Sequence, residues 1–271
     1  MRLTCLIDNC ASSNLWAEHG LSFLIEAEEG NVIWDTGQSG ALLLHNLEAL
    51  KLDDLPLAAA ALSHGHKDHT GGLGVLLDLH PHLPIYAHKE IFRQRFSFRD
   101  GKRRVIGIAE EERDLRSRAD FRLSEAPQEI VSGVCTTGSV QPRPYPQGSA
   151  PHLKMEKAGE IVPDAYLDDM SLVLFVEGGI VLLCGCCHAG LRNTIAVVRE
   201  RYDAPLLAII GGTHLSRAKK AELEAIVKLV EAEDVPKLYL NHCTGEDAIF
   251  YFKKALGDRV ERCPAGTVLE F

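Results

Sequence analysis

Between Leu62 and Leu73 the chain reads LSHGHKDHTGGL, with His64, His66, Asp68 and His69 close together on one short run. Residues one and two apart do not share a helix face, so amphipathic helix packing does not explain the cluster. The run is polar throughout, which also excludes a half-buried strand. A tight loop whose imidazoles and carboxylate converge on one point suits a metal ion of zinc or iron character.

Four further segments share one design, an apolar strand that ends in polar residues. NVIWDTG carries Asp35, and IVLLCGCCHAG carries Cys186, Cys187 and His188. LLAIIGGTHL carries His214, and KLYLNHCTGE carries His242 and Cys243. In open α/β sheets the ligand site lies off the carboxyl ends of the strands. These ends and the HGHKDH loop therefore deliver Asp35, His64, His66, Asp68, His69, His188, His214 and His242 to one edge. A single strand-end histidine is usually structural; several such ends facing one edge need another explanation.

The elements that must position these residues are legible in outline. RLTCLID, the hairpin LSFLIEAEEGNVIWDTG, LPLAAAALSHG and IYAH read as strands, and residues 41–50 and 71–79 have helical spacing. SLVLFVEGGIVLLCG is a second hairpin. It is followed by a helix over 191–201, the strand PLLAIIGG, a long helix over 216–233, the strand KLYLNHC, and a last helix and strand. Over 93–163 the pattern breaks down, basic at first and proline-dotted later, which predicts an insertion or lid within a single domain spanning 1–271. Ala189-Gly190-Leu191 and Thr244-Gly245-Glu246 each precede a predicted helix, whose free N–H groups suit phosphate or carboxylate.

Composition narrows the class. A net charge of −9 over 271 residues argues against a nucleic-acid binder. No apolar run reaches membrane-spanning length, and MRLTCLIDNC lacks the order of a secretion signal. The chain thus reads as a soluble cytoplasmic protein whose partner is a small anionic molecule. Its eight cysteines are expected to stay reduced; Cys184 and Cys187 read as packing residues.

HGHKDH, with the following Thr-Gly-Gly, resembles the HxHxDH signature of the metallo-β-lactamase-fold superfamily, and WDTG and His242 fall where that superfamily has its first and last motifs. The resemblance implies a four-layer αββα sandwich with two divalent metal ions at its edge, zinc in the first instance and iron or manganese as alternatives. Carried over by position, His64 and His66 resemble ligands of the first metal. Asp68, His69 and His242 resemble ligands of the second, and Asp35 the carboxylate that orients the loop. Where related hydrolases place a bridging aspartate this chain has Cys186-Cys187-His188, and where they place a third histidine it reads YLDDM. His188, Asp168 or Cys186 could complete the first site; histidine suits a zinc ion shared with two others, which favours His188. The bland reading of Asp168 is a turn carboxylate.

GCCHAGLRNT, GGTHL and NHCTGED, with EHGLSFLIE around His19 and IYAHKEIF, are similar to a narrower subgroup. Its named member joins a dihydropterin to a ribofuranosylaminobenzene phosphate in methanopterin biosynthesis, and many of its members are called metal-dependent hydrolases. The implied function is hydrolysis of a small, phosphorylated substrate, with pterin transfer as the alternative. Asp68 and His214 are the candidate catalytic side chains, His214 as a substrate contact or general acid. An oxygen- or nitric-oxide-reducing iron centre would need a flavin domain that the chain has no room for. A non-catalytic metal-binding module would predict a degraded signature, whereas HGHKDH is intact.

Overall fold

The computed structural model describes residues 1–148 and 150–271. The N-terminal part supplies β1 (Arg2–Ile7), β2 (Ser22–Ala27), β3 (Gly30–Trp34), α1 (Gly40–Leu50), β4 (Leu57–Ala61), α2 (Lys67–Thr70), α3 (Leu73–Leu79) and β5 (Pro84–Ala87). The middle adds β6 (Arg95–Arg99), β7 (Lys102–Val105), α4 (Glu112–Arg118), β8 (Asp120–Leu123), β9 (Glu129–Val131), β10 (Val134–Thr136), β11 (Leu153–Lys157) and β12 (Glu160–Pro163). The rest follows as β13 (Ser171–Val176), β14 (Gly179–Cys184), α5 (Leu191–Arg201), β15 (Leu206–Gly211), α6 (Lys220–Ala232), β16 (Lys237–Leu240), α7 (Glu246–Leu256), β17 (Val260–Arg262) and β18 (Val268–Glu270).

Two seven-stranded sheets face each other, in the orders β18-β1-β2-β3-β4-β5-β8 and β17-β16-β15-β14-β13-β10-β9. The inner strands are buried on both faces, so nearly every position must be apolar. In β14, Val181 and Leu183 point between the sheets, while Ile180, Leu182 and Cys184 pack under α5, α6 and α7. In β3, Val32 and Trp34 point between the sheets and Ile33 packs under α1 and α3. The result is helices, sheet, sheet, helices: the αββα sandwich that the resemblance implies.

Parallel pairing decides where the site can be. β3, β4 and β5 run parallel to one another, as do β14, β15 and β16. Helical crossovers make this possible, and every strand then ends on the same edge. Asp35, the HGHKDH turn, Cys186 to His188, His214 and His242 all follow those ends.

The middle of the chain differs from the expected patternless insertion. Segment 93–163, of which residue 149 lies outside the described residues, gives β8 to the first sheet and β9 and β10 to the second. It also forms a four-stranded sheet in the order β12-β11-β6-β7. Its strands are short, and Lys102 to Val105 is exposed along its whole length, so no apolar run marks it. The long helix also begins later than expected, at Lys220 rather than Ser216. Among the described residues no helix is long and apolar enough to cross a membrane.

His88, just past β5, ties the edges of the two main sheets together. Its Nε2–H donates to Ser139 Oγ at 2.8 Å, and its Nδ1 accepts the Glu90 backbone N–H at 3.1 Å. Burial pulls its pKa down to about 4, whereas the unfolded value is about 6.5. The folded state thus holds the neutral ring, and its stabilisation is complete above pH ~6.5 and lost as pH falls toward 4. His88→Gln should therefore lose less stability than wild type between pH 7 and pH 5, measured by urea denaturation. An equal loss in both proteins contradicts this account of His88.

Candidate metal centre

Asp35 sits one residue past β3 with φ of 57°, and its carboxylate is fully buried. Non-glycine residues rarely hold such a φ unless their surroundings enforce it. Oδ1 accepts the Ser63 backbone N–H at 2.7 Å, and Oδ2 accepts Ser63 Oγ–H at 2.7 Å. Oδ2 also lies 2.7 Å from His69 Nδ1, and Ser63 Oγ lies 2.9 Å from His64 Nδ1. Protons on both Nδ1 atoms satisfy these contacts and leave the Nε2 lone pairs of His64 and His69 free, the tautomer a metal ligand needs.

His64 Nε2 is 3.0 Å from His66 Nδ1. Ring nitrogens of His64, His66 and His188 lie within 4.8 Å of one another. Both nitrogens of His188 are buried and have no hydrogen-bond partner among the described residues. Leaving such atoms unpaired costs about 1–3 kcal/mol each. Burial holds His64 and His188 well below the ordinary histidine range, with the neighbouring rings adding to it, and takes His66 to about 3. Neutral imidazoles with inward lone pairs fit a cation. Tyr166 stacks flat on His188, 4.2 Å between ring centres and 3° between planes, closing this group from behind.

The second group adjoins it. His69 Nε2 is 3.2 Å from His242 Nε2 and 3.2 Å from Cys186 Sγ. Asp68 Oδ2 lies 3.5 Å from His242 Nε2, 3.8 Å from His69 Nε2 and 3.2 Å from His19 Nε2. Burial pushes the Asp68 carboxyl up, but His69, His19 and His242 outweigh it and hold the pKa well below the usual carboxylate range. Burial pulls His69 down, yet Asp35 and Asp68 raise it to about 9. The pocket therefore favours positive charge, which suits a divalent ion. Asp8 and Asn9 fix His242: Asp8 Oδ1 accepts its backbone N–H at 2.7 Å, and Asn9 Oδ1 lies 3.0 Å from its Nδ1.

Asp168 is turned to another task. Its Oδ2 accepts the Gly65 backbone N–H at 2.8 Å and its Oδ1 pairs with Arg95 at 2.7 Å. It therefore shapes the histidine turn and does not join the donor groups, unlike His188, which does. Arg95, itself buried, also binds Asp164 and the Ile91 and Arg93 carbonyls. A Cβ at Gly65 would come within 2.2 Å of Ile91 O, so the turn between His64 and His66 requires glycine.

Two expected anion sites do not take the expected form. At the start of α5, Asp169 accepts the Ala189 N–H at 2.9 Å, and Asn193 and Tyr145 bond each other across the helix entrance. The first turn of α7 carries Glu246 and Asp247, whose charge repels an anion. Two members of the basic run are committed elsewhere, Arg95 in the core and Arg93 paired to Glu90. Positive charge gathers at another place. Burial, and then Arg99, Arg217 and His214 nearby, push the pKa of His152 down.

Strand-end reasoning missed Asp8 and Asn9, although LIDN after β1 has the same apolar-to-polar design. Arg95 and Tyr166 act through contacts distant in sequence, as does Ser63 through Asp35, and none of them carries a local signal.

The family profile described as the metallo-beta-lactamase superfamily matches residues 15–186. The chain belongs to this superfamily. A 7,8-dihydropterin-6-methyl-4-(beta-D-ribofuranosyl)-aminobenzene-5'-phosphate synthase of Methanocaldococcus jannaschii is 28% identical over 96% of this chain and 92% of its own length. An uncharacterised protein of the same organism is 30% identical over 90% of this chain and 91% of its own. The crystal structure of Tm1679, a metal-dependent hydrolase of the beta-lactamase superfamily, superposes with a TM-score of 0.88 at 29% identity, covering 100% of this chain and 99% of that one. The metallo-beta-lactamase fold implies divalent metal binding, and the two donor groups above fit it.

In this superfamily member the carboxylate of Asp35 positions two of the candidate ligands at once. Asp35→Asn should weaken metal affinity by about 10–100-fold, as loss of a partner hydrogen-bonded to a ligand does elsewhere. Competition against a chromophoric chelator measures this, and an affinity equal to wild type contradicts the role.

Proposed function

We propose that the protein is a metal-dependent hydrolase acting on a small phosphorylated substrate at a dinuclear centre. His64, His66 and His188 would hold one ion, and Asp68, His69 and His242 the other, with Cys186 at their border. Zinc suits these donors, and iron or manganese are the alternatives. When bound, such ions would supply Lewis acidity to a substrate oxygen and to water near neutral pH. The observation that carries the reading is the convergence of two donor groups, the first with buried ring nitrogens of His66 and His188 that lack partners among the described residues.

The chain's own residues do the rest. Asp68, held ionised beside His19, would accept a hydrogen bond from an attacking water and orient it. Asp35 and Ser63 fix the ring orientations, so the site does not reorganise during reaction. Arg99 and Arg217, which both act on His152, would support an anionic substrate. Gly148 lies against His214 and Tyr145 against α5, so residues 137–148 would serve as a cover of the site. Eight free cysteines suit a reducing compartment, the cytoplasm.

A second reading, transfer of a dihydropterin onto a ribofuranosylaminobenzene phosphate, is favoured by the M. jannaschii synthase, which aligns along nearly all of both chains. The same arginines would hold the phosphate. Metal-loaded enzyme tested on phosphoesters, lactones and dihydropterin pyrophosphate separates the readings. A phosphorylated substrate should be turned over, and Arg217→Ala should raise its KM roughly tenfold, the ~1.5 kcal/mol of a hydrogen bond to a charged group. Preference for neutral lactones, with Arg217→Ala fully active, contradicts the phosphate reading.

A further inference from the structure

Beside the histidine groups lies a third set of donors. The Sγ atoms of Cys186 and Cys243 and a ring nitrogen of His214 lie within 4.8 Å of one another. They follow β14, β16 and β15, three neighbouring parallel strands whose ends are in register, Cys184 opposite Gly211 and Gly211 opposite Leu240. Sequence separation hides this grouping, and no CxxC spacing announces it.

The local backbone is shaped around these side chains. His214 has φ of 52°, and the residues flanking the two cysteines, Cys187 and His242, have φ of 54° and 49°. Such left-handed positions persist outside glycine only where the surroundings hold them. A Cβ at Gly212 would fall 2.7 Å from Cys243 Sγ and 2.4 Å from the Gly185 carbonyl, so glycine there leaves room for the thiol. The His214 backbone N–H donates to Cys243 Sγ at 3.2 Å, which orients the sulfur. His214 Nδ1 is buried and has no hydrogen-bond partner among the described residues.

We propose that Cys186, His214 and Cys243 form a thiolate metal site of their own, which takes a soft or borderline ion such as zinc or cobalt. Two thiolates and an imidazole exclude magnesium and calcium and match three-ligand zinc sites that keep one position open. The inference goes beyond the dinuclear reading and gives His214 a ligand's role in place of a general acid's. It also makes Cys186, 3.2 Å from His69 Nε2, the border between thiolate and histidine donors. Binding releases the thiol protons to solvent and needs no oxidant.

Cobalt(II) titration of the full chain, stripped of metal and kept reduced, tests the site by absorption. Sulfur-to-cobalt charge transfer should appear in the near ultraviolet, vanish in Cys243→Ser and weaken in His214→Gln, and persist in the remote Cys135→Ser. Visible cobalt bands without the sulfur band, or a sulfur band retained in Cys243→Ser, overturn the thiolate site and leave the histidine centre standing. No cobalt uptake overturns both. X-ray absorption of zinc-loaded wild type needs no variant: sulfur scatterers at about 2.3 Å are expected, and a shell of nitrogen and oxygen alone contradicts the proposal.

Discussion

The carboxylate of Asp35 is fully buried at the seam of the two sheets, and much of the architecture answers that fact. An unpaired buried charge is costly enough that it must be hydrogen-bonded or balanced by positive charge. Both oxygens are met by Ser63, and Oδ2 also by His69. Ser63 passes the order on to His64. One buried anion thus sets two ring tautomers and holds the β4 turn against β3. The same negative potential, with Asp68, raises the pKa of His69 and makes the pocket a place for a cation.

The second sheet completes what the first begins. His188 and His242, which follow strands of the second sheet, meet the HGHKDH turn across the sandwich edge, against His64, His66 and His69. Arg95 braces the turn from the side through Asp168. Removing one member of a buried ion pair typically costs about 3–5 kcal/mol, so Arg95, from a region with no sequence pattern, matters to the site as much as the strand ends do.

Legibility followed the physics of each element. Strands buried on both faces leave apolar runs, and their polar ends stand out, so Asp35, His64, His66, His69, His188 and His242 were readable with their order and edge. The small sheet of β6, β7, β11 and β12 is short, basic and partly exposed, and its pattern vanishes. Asp168 looked like a possible ligand because sequence shows residue type but not direction; its partners turned out to be Gly65 and Arg95. The helix starts at Ala189 and Thr244 looked receptive to anions, yet Asp169 occupies the first and acidic residues guard the second. Helix ends show in sequence, but what fills them is a tertiary matter.

The central claim is that imidazoles from both sheets form one metal centre. Elemental analysis of protein purified in metal-free buffers tests it most directly, on wild type, His66→Ala and His188→Ala. Wild type should retain tightly bound divalent metal, and each variant should lose most of it while keeping its circular dichroism spectrum, because His66 and His188 lie outside the helices and strands. Equal metal content in wild type and both variants would contradict the account.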